Sequence, residues 1–199
     1  MENKLTIMYV HGLNSNGNSS TGKNIEKILK RDLPDIDIEV KHPSFSKNGE
    51  EAIKLLKKEA EDCNIVIGTS LGGFLTLNAD GAYRIVVNPA LHPSKTLLKL
   101  GESDEVASSY KNIEKNLFSS IDFEDKATVI GYFADKDEVV NNKEEFSKLY
   151  GKRAVKSFSG KHRMSEKNVE EIIVPEVKRY IKMCESNYFD SLGSSIPLI

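Results

Sequence analysis

Cysteine, surplus positive charge and long apolar runs are all scarce in this chain, and each shortage excludes something. Only two cysteines, Cys63 and Cys184, stand among 199 residues. Their separation rules out zinc-ligand spacing, and two thiols make no disulfide framework. Both are expected to be inert, and no metal site is expected. Lys and Arg number 28 against 30 Asp and Glu, so the formal charge is −2. That balance offers no electrostatic footprint for nucleic acid. The lysines are interleaved with glutamates, as in EEAIKLLKKEAED, which is the pattern of solvated helix faces. No apolar run approaches the roughly 20 residues of a membrane span. The opening MENKLTIMYV lacks the apolar stretch of a secretory leader. Neither nucleic acid nor a membrane is an expected partner, and a cytoplasmic location is expected.

What remains is the composition of a folded domain, with 39% hydrophobic and 29% charged residues. A chain of this length can bury roughly 70% of its unfolded surface. Six short runs read as strands: 5–10, 37–40, 64–68, 84–88, 128–133 and 154–158. Most are apolar without clean alternation, as in strands covered on both faces of a parallel sheet. Helical patterns lie between them. GKNIEKILKRDL gathers Ile25, Ile28 and Leu29 on one side, and GEEAIKLLKKEAED gathers Ala52, Leu55, Leu56 and Ala60. KEEFSKLYG ends on a C-cap candidate, Gly151. The last helical stretch opens at Ser165, an N-cap candidate, and should kink or divide at Pro175. The alternation predicts a three-layer αβα sandwich around a mostly parallel six-stranded sheet. One domain, 1–186, is expected, with an insert of short helices at 90–124 and a tail at 187–199.

The loop VHGLNSNGNSS follows the first strand and is rich in bare or small residues. It stands one residue from a phosphate-loop pattern, but Asn18 replaces the required lysine. A second Gly-rich turn is more informative. In NIVIGTSLGGFLTLNA, Gly68, Ser70 and Gly72 satisfy G-x-S-x-G between a strand and a helix candidate. Such a turn is too tight for side chains at the glycines, and it lifts the serine hydroxyl above the sheet. The helix starts at Leu71, so orphan N–H groups and the positive end of the helix dipole face Ser70.

A serine hydroxyl needs a base, and the base needs a group that holds its tautomer. All four histidines, His11, His42, His92 and His162, lie near strand ends. Strand–elbow–helix hydrolases place their partners in the order Ser, acid, His, which selects His162. The strand before it runs into ADKDEVV, offering Asp135, Asp137 and Glu138. Asp137, followed by Val139 and Val140, has the better spacing, and Asp135 is the runner-up. The other acids here are expected to be solvated. The oxyanion of an acyl intermediate needs two N–H donors. Leu71 and, in the opening loop, Leu13 are the candidates, while His11 is expected to be architectural.

Five segments, YVHGLNSN, GTSLGG, VVNPAL, DKDEVV and SGKHRM, together resemble the α/β-hydrolase superfamily. More narrowly, the chain is similar to the small YqiA/YcfP-like esterase branch. The resemblance implies a reduced sheet of order 2-1-3-4-5-6 and a triad of Ser70, Asp137 and His162. It implies Leu13 and Leu71 as oxyanion donors and hydrolysis of small-molecule carboxylic esters or acyl thioesters. A mechanism without a cofactor is expected. The rival expectation is a catalytically silent binding protein that keeps the hydrolase frame.

Overall fold

Successive residues along each strand point to opposite faces of the sheet, and both faces are apolar. Ile7, Tyr9, Ile65, Ile67, Ile85, Val87, Ile130 and Tyr132 serve one core, while Met8, Val10, Val66, Val86 and Phe133 serve the other. This two-sided burial explains why the runs do not alternate in polarity. Each fully buried aliphatic side chain contributes about 1.5–3 kcal/mol.

The computed structural model describes residues 4–193. Its strands are β1 (Lys4–Val10), β2 (Asp37–Lys41), β3 (Ile65–Thr69), β4 (Tyr83–Val87), β5 (Val129–Ala134) and β6 (Val155–Phe158). They form one sheet of order β2-β1-β3-β4-β5-β6, and all five pairings are parallel. Parallel neighbours need crossovers, and the helices supply them. α1 (Ser20–Asp32) joins β1 to β2, and α2 (Gly49–Ala60) leads to β3. α3 (Leu71–Thr76) connects β3 to β4. The chain steps outward from β1 to β2, then returns past β1 to β3. The loops after β1 and β3 therefore diverge at a topological switch point, where a crevice opens at the carboxyl ends of the strands.

The insert carries no strand. It folds as α4 (Pro93–Lys99), α5 (Asp104–Ser108), α6 (Lys111–Ser120) and α7 (Phe123–Thr128). α8 (Lys143–Tyr150) ends at Gly151, whose φ of 90° and N–H bond to the Ser147 carbonyl make it the expected cap. Ser165 caps α9 (Glu166–Asn168), its hydroxyl accepting from the Asn168 N–H. Pro175 does not divide the following helix. A π-helical turn, Val169–Ile173, comes just before it, and α10 (Val174–Gly193) runs on. Proline lacks an N–H, so a widened turn is one way for the backbone ladder to pass it. The expected tail begins inside this helix, which runs on to Gly193; residues 194–199 lie outside the described residues.

α10 is fastened to the sheet by one buried carboxylate. Glu176 is 1% exposed. Its Oε1 accepts from the Tyr83 hydroxyl at 2.6 Å and Arg179 Nε at 2.5 Å. Its Oε2 accepts from the Tyr132 hydroxyl at 2.6 Å and Lys156 Nζ at 2.8 Å. Three of these four donors, Tyr83, Tyr132 and Lys156, bind α10 to β4, β5 and β6 at once, while Arg179 bonds Glu176 within α10.

Candidate active site

The turn after β3 is as tight as its glycines imply. A Cβ at Gly72 would strike the carbonyl oxygen of Val10, and one at Gly68 would strike Thr76 Oγ1 and the Gly72 carbonyl oxygen. Between them Ser70 adopts φ 57°, ψ −120°, a conformation that costs a non-glycine residue about 1–3 kcal/mol. The neighbouring strand holds it there. The Ser70 N–H donates to the Val87 carbonyl at 3.0 Å, and the Ser70 carbonyl accepts from Ala90 N–H at 3.0 Å.

Ser70 meets a base and an acid across the strand ends. His162 Nε2 lies 2.9 Å from Ser70 Oγ. His162 Nδ1 lies 3.0 and 2.9 Å from Asp137 Oδ1 and Oδ2. An ionised carboxylate only accepts, so Nδ1 carries the proton and Nε2 is left to accept from the serine hydroxyl. Asp137 is itself fixed. Its Oδ1 accepts from the N–H groups of Val139 at 2.8 Å and Val140 at 3.0 Å, a local turn that sets the side chain. The side chains of His162 and Asp137 are 12% and 7% exposed, so little water competes for these bonds.

The other candidates have different tasks. Asp135 accepts from the Gly160 N–H at 2.9 Å and so anchors the loop before His162. That bond holds its carboxyl below the usual range. Glu138, expected to be solvated, accepts from the His162 backbone N–H at 3.2 Å. His11 is buried and architectural. Its Nε2 accepts from Phe45 N–H at 2.9 Å, which leaves Nδ1 to donate to the Gly12 carbonyl at 2.9 Å. Burial lowers its pKa, consistent with a neutral ring. His42 pairs with Glu26 at 3.0 Å, and His92 with Glu145 at 2.8 Å.

Leu13 and Leu71 line one small cleft of about 40 Å³, together with Gly12, Phe45 and Leu75. The Leu71 N–H belongs to the first turn of α3, where no intrahelical acceptor exists. A Cβ at Gly12 would lie 3.3 Å from Ser70 Cβ, so the bare backbone of the opening loop runs directly beside the serine. Phe74, Leu91 and Leu97 are core, while Leu98 and Leu100 are exposed. Among the described residues no cluster of three or more His, Cys, Asp or Glu could hold a metal ion. None of the described helices is long and apolar enough to cross a membrane.

One residue at the site carried no chemical signal in the sequence. Asn88 donates from Nδ2 to the His162 carbonyl at 3.0 Å and accepts at Oδ1 from the Ala134 N–H at 2.8 Å. The Asn-Pro dipeptide at the end of β4 marked a turn, but nothing local pointed to its partners.

Residues 6–177 match the family model described as "Uncharacterised protein family (UPF0227)". No curated protein matches. Solved structures do. Est1E from Butyrivibrio proteoclasticus is 15% identical with a TM-score of 0.66, the match covering 92% of this chain and 90% of that one. MGS-MChE2, an α/β hydrolase enzyme from a lagoon-sediment metagenome, is 14% identical with a TM-score of 0.62, covering 92% of each chain. The S-formylglutathione hydrolase FrmB from Staphylococcus aureus is 14% identical with a TM-score of 0.59, covering 88% of this chain and 83% of that one. At such identities the likeness is one of fold. The chain has the α/β-hydrolase fold and belongs to the UPF0227 family, the YqiA-like branch its motifs resemble.

Proposed function

We propose that this protein is a serine hydrolase that cleaves carboxylic esters or acyl thioesters. The observation that carries this reading is the hydrogen-bonded line Ser70–His162–Asp137, with 2.9 Å at the hydroxyl, mounted on a strained elbow. Ser70 Oγ attacks the acyl carbonyl carbon while its proton passes to His162 Nε2. Asp137 keeps the ring oriented and stabilises the imidazolium. The carbonyl electron pair moves onto oxygen, where the Leu71 and Leu13 N–H groups receive it. Collapse of the tetrahedral adduct breaks the bond to the leaving alcohol or thiol, which takes the proton from His162. Water, deprotonated by the same histidine, then attacks the acyl-serine and releases the acid and free Ser70. No cofactor enters the scheme. The cleft that Leu13 and Leu71 line is small, which suits small or linear acyl groups.

A fluorophosphonate probe reacts only with an activated serine. The wild type is expected to be labelled and Ser70→Ala to remain unlabelled. A chain-length series of p-nitrophenyl esters and acyl-coenzyme A thioesters then identifies the acyl group. Ser70→Ala and His162→Ala should each lower kcat by about 10³-fold or more. No labelling together with no turnover on either series refutes the proposal and favours a binding protein.

A further inference from the structure

The segment VVNPAL does more than close β4. Its turn, 87–90, touches every segment that bears a member of the triad. The Val87 carbonyl and Ala90 N–H hold both sides of the Ser70 peptide, each at 3.0 Å. The Pro89 carbonyl accepts from Asn142 Nδ2 at 2.8 Å, in the loop that follows Asp137. Asn88 spans the remaining gap. It is 1% exposed and has φ 47°, a region asparagine enters more readily than most residues. Its Oδ1 takes the Ala134 N–H, at the end of the strand that leads to Asp137. Its Nδ2 donates to two consecutive carbonyls, Lys161 at 3.3 Å and His162 at 3.0 Å. The orientation of the amide is unambiguous, since one end faces an N–H and the other faces carbonyls.

We infer that Asn88 is a positioning residue that sets His162 against Asp137 and Ser70, an inference that rests on the serine-hydrolase reading above. One planar amide joins the acid-bearing and base-bearing loops through rigid atoms, so the separation of the two loops is fixed before substrate arrives. The competing ties act elsewhere. Gly160 is bonded to Asp135 and Lys136, two residues short of His162, and the Glu138 bond to the His162 N–H is exposed. Without Asn88 the His162 backbone would keep only that exposed bond among these ties.

Two variants test this. Asn88→Asp keeps the shape, the tolerance for positive φ and the acceptor for Ala134, but turns an oxygen toward two carbonyls. Asn88→Gly accepts the backbone conformation and removes the whole clamp. With p-nitrophenyl acetate as probe, kcat is expected to fall about 10²-fold while KM stays within about twofold, in variants shown to be folded by circular dichroism. The downfield NMR signal of the His162 ring N–H bonded to Asp137 should weaken or vanish in both. This signal needs no turnover. A wild type that carries it but hydrolyses nothing would sink the hydrolase reading, and the signal in the variants would still decide the positioning role. In the wild type, the Asn88 side-chain N–H protons should exchange slowly with solvent. Three results would overturn the inference: kcat within about threefold of wild type in a folded variant with the imidazole signal unchanged; losses that merely follow the unfolded fraction; or freely exchanging Asn88 amide protons.

Discussion

Replacing Glu176 with glutamine tests whether the last helix is held by charge or only by shape. Burial by itself pushes the Glu176 carboxyl up, but hydrogen bonds from Lys156, Tyr132, Tyr83 and Arg179 outweigh it and hold the pKa down to about 2. An unfolded glutamate titrates near 4.3, and each pH unit of difference is worth about 1.4 kcal/mol. The ionised, bonded carboxylate therefore contributes about 3 kcal/mol, in line with the roughly 3–5 kcal/mol cost of breaking a buried ion pair. Because the folded pKa is depressed, that stability is complete above about pH 5 and is lost as pH falls toward 2. In Glu176→Gln the amide has one acceptor and one NH2, so two of the four donors lose their partner. Urea unfolding of wild type and variant between pH 7 and pH 2 reads the effect. The variant should be about 3 kcal/mol less stable at pH 7, with the gap closing as the wild-type carboxylate protonates. A variant within about 0.5 kcal/mol of wild type at pH 7, or equal pH slopes in the two proteins, would refute the reasoning.

Asp137→Asn should lower kcat by about 10³-fold or more, because its amide can no longer hold the His162 tautomer, while Asp135→Asn should stay within about threefold; steady-state ester hydrolysis separates the two. Gly72→Ala should cost about 2–3 kcal/mol in urea unfolding, since the added methyl meets the Val10 carbonyl and must push β1 and α3 apart. Cys63 is buried and its thiol is pushed up to about 11, so alkylation of the folded protein at pH 8 should modify the exposed Cys184 and spare Cys63, as read by peptide mass spectrometry.

Much of this was legible along the chain. The six runs became the six strands within a residue or two, because burial on both faces of β1, β3, β4 and β5 leaves a local hydrophobic signature that needs no partner to be read. The elbow was legible for the same reason: Gly68 and Gly72 are bare because their own neighbours in sequence and in the next strand would collide with a side chain. The boundary of the tail was less legible. SNYFDSLG has no strong amphipathic period, yet the helix continues through it to Gly193. Spacing along the chain favoured Asp137, with Asp135 as the runner-up. Their division of labour follows from where the strand ladder stops. The Asp135 backbone still pairs with Phe158, which aims its carboxylate along the loop at Gly160, while Asp137 lies beyond the turn and faces His162.

The sequence by itself determined the αβα layering and the serine at a glycine elbow. Those properties depend on residues a few positions apart, where backbone geometry and side-chain period act directly. Only the tertiary structure decided that Asn88 would join the end of β5 to the His162 loop, that Glu138 would hold the His162 backbone, and that Glu176 would gather four donors. Each of these depends on which strands become neighbours and in what register. A one-residue slip of β4 against β5 would carry Asn88 out of line with Ala134 and empty the clamp.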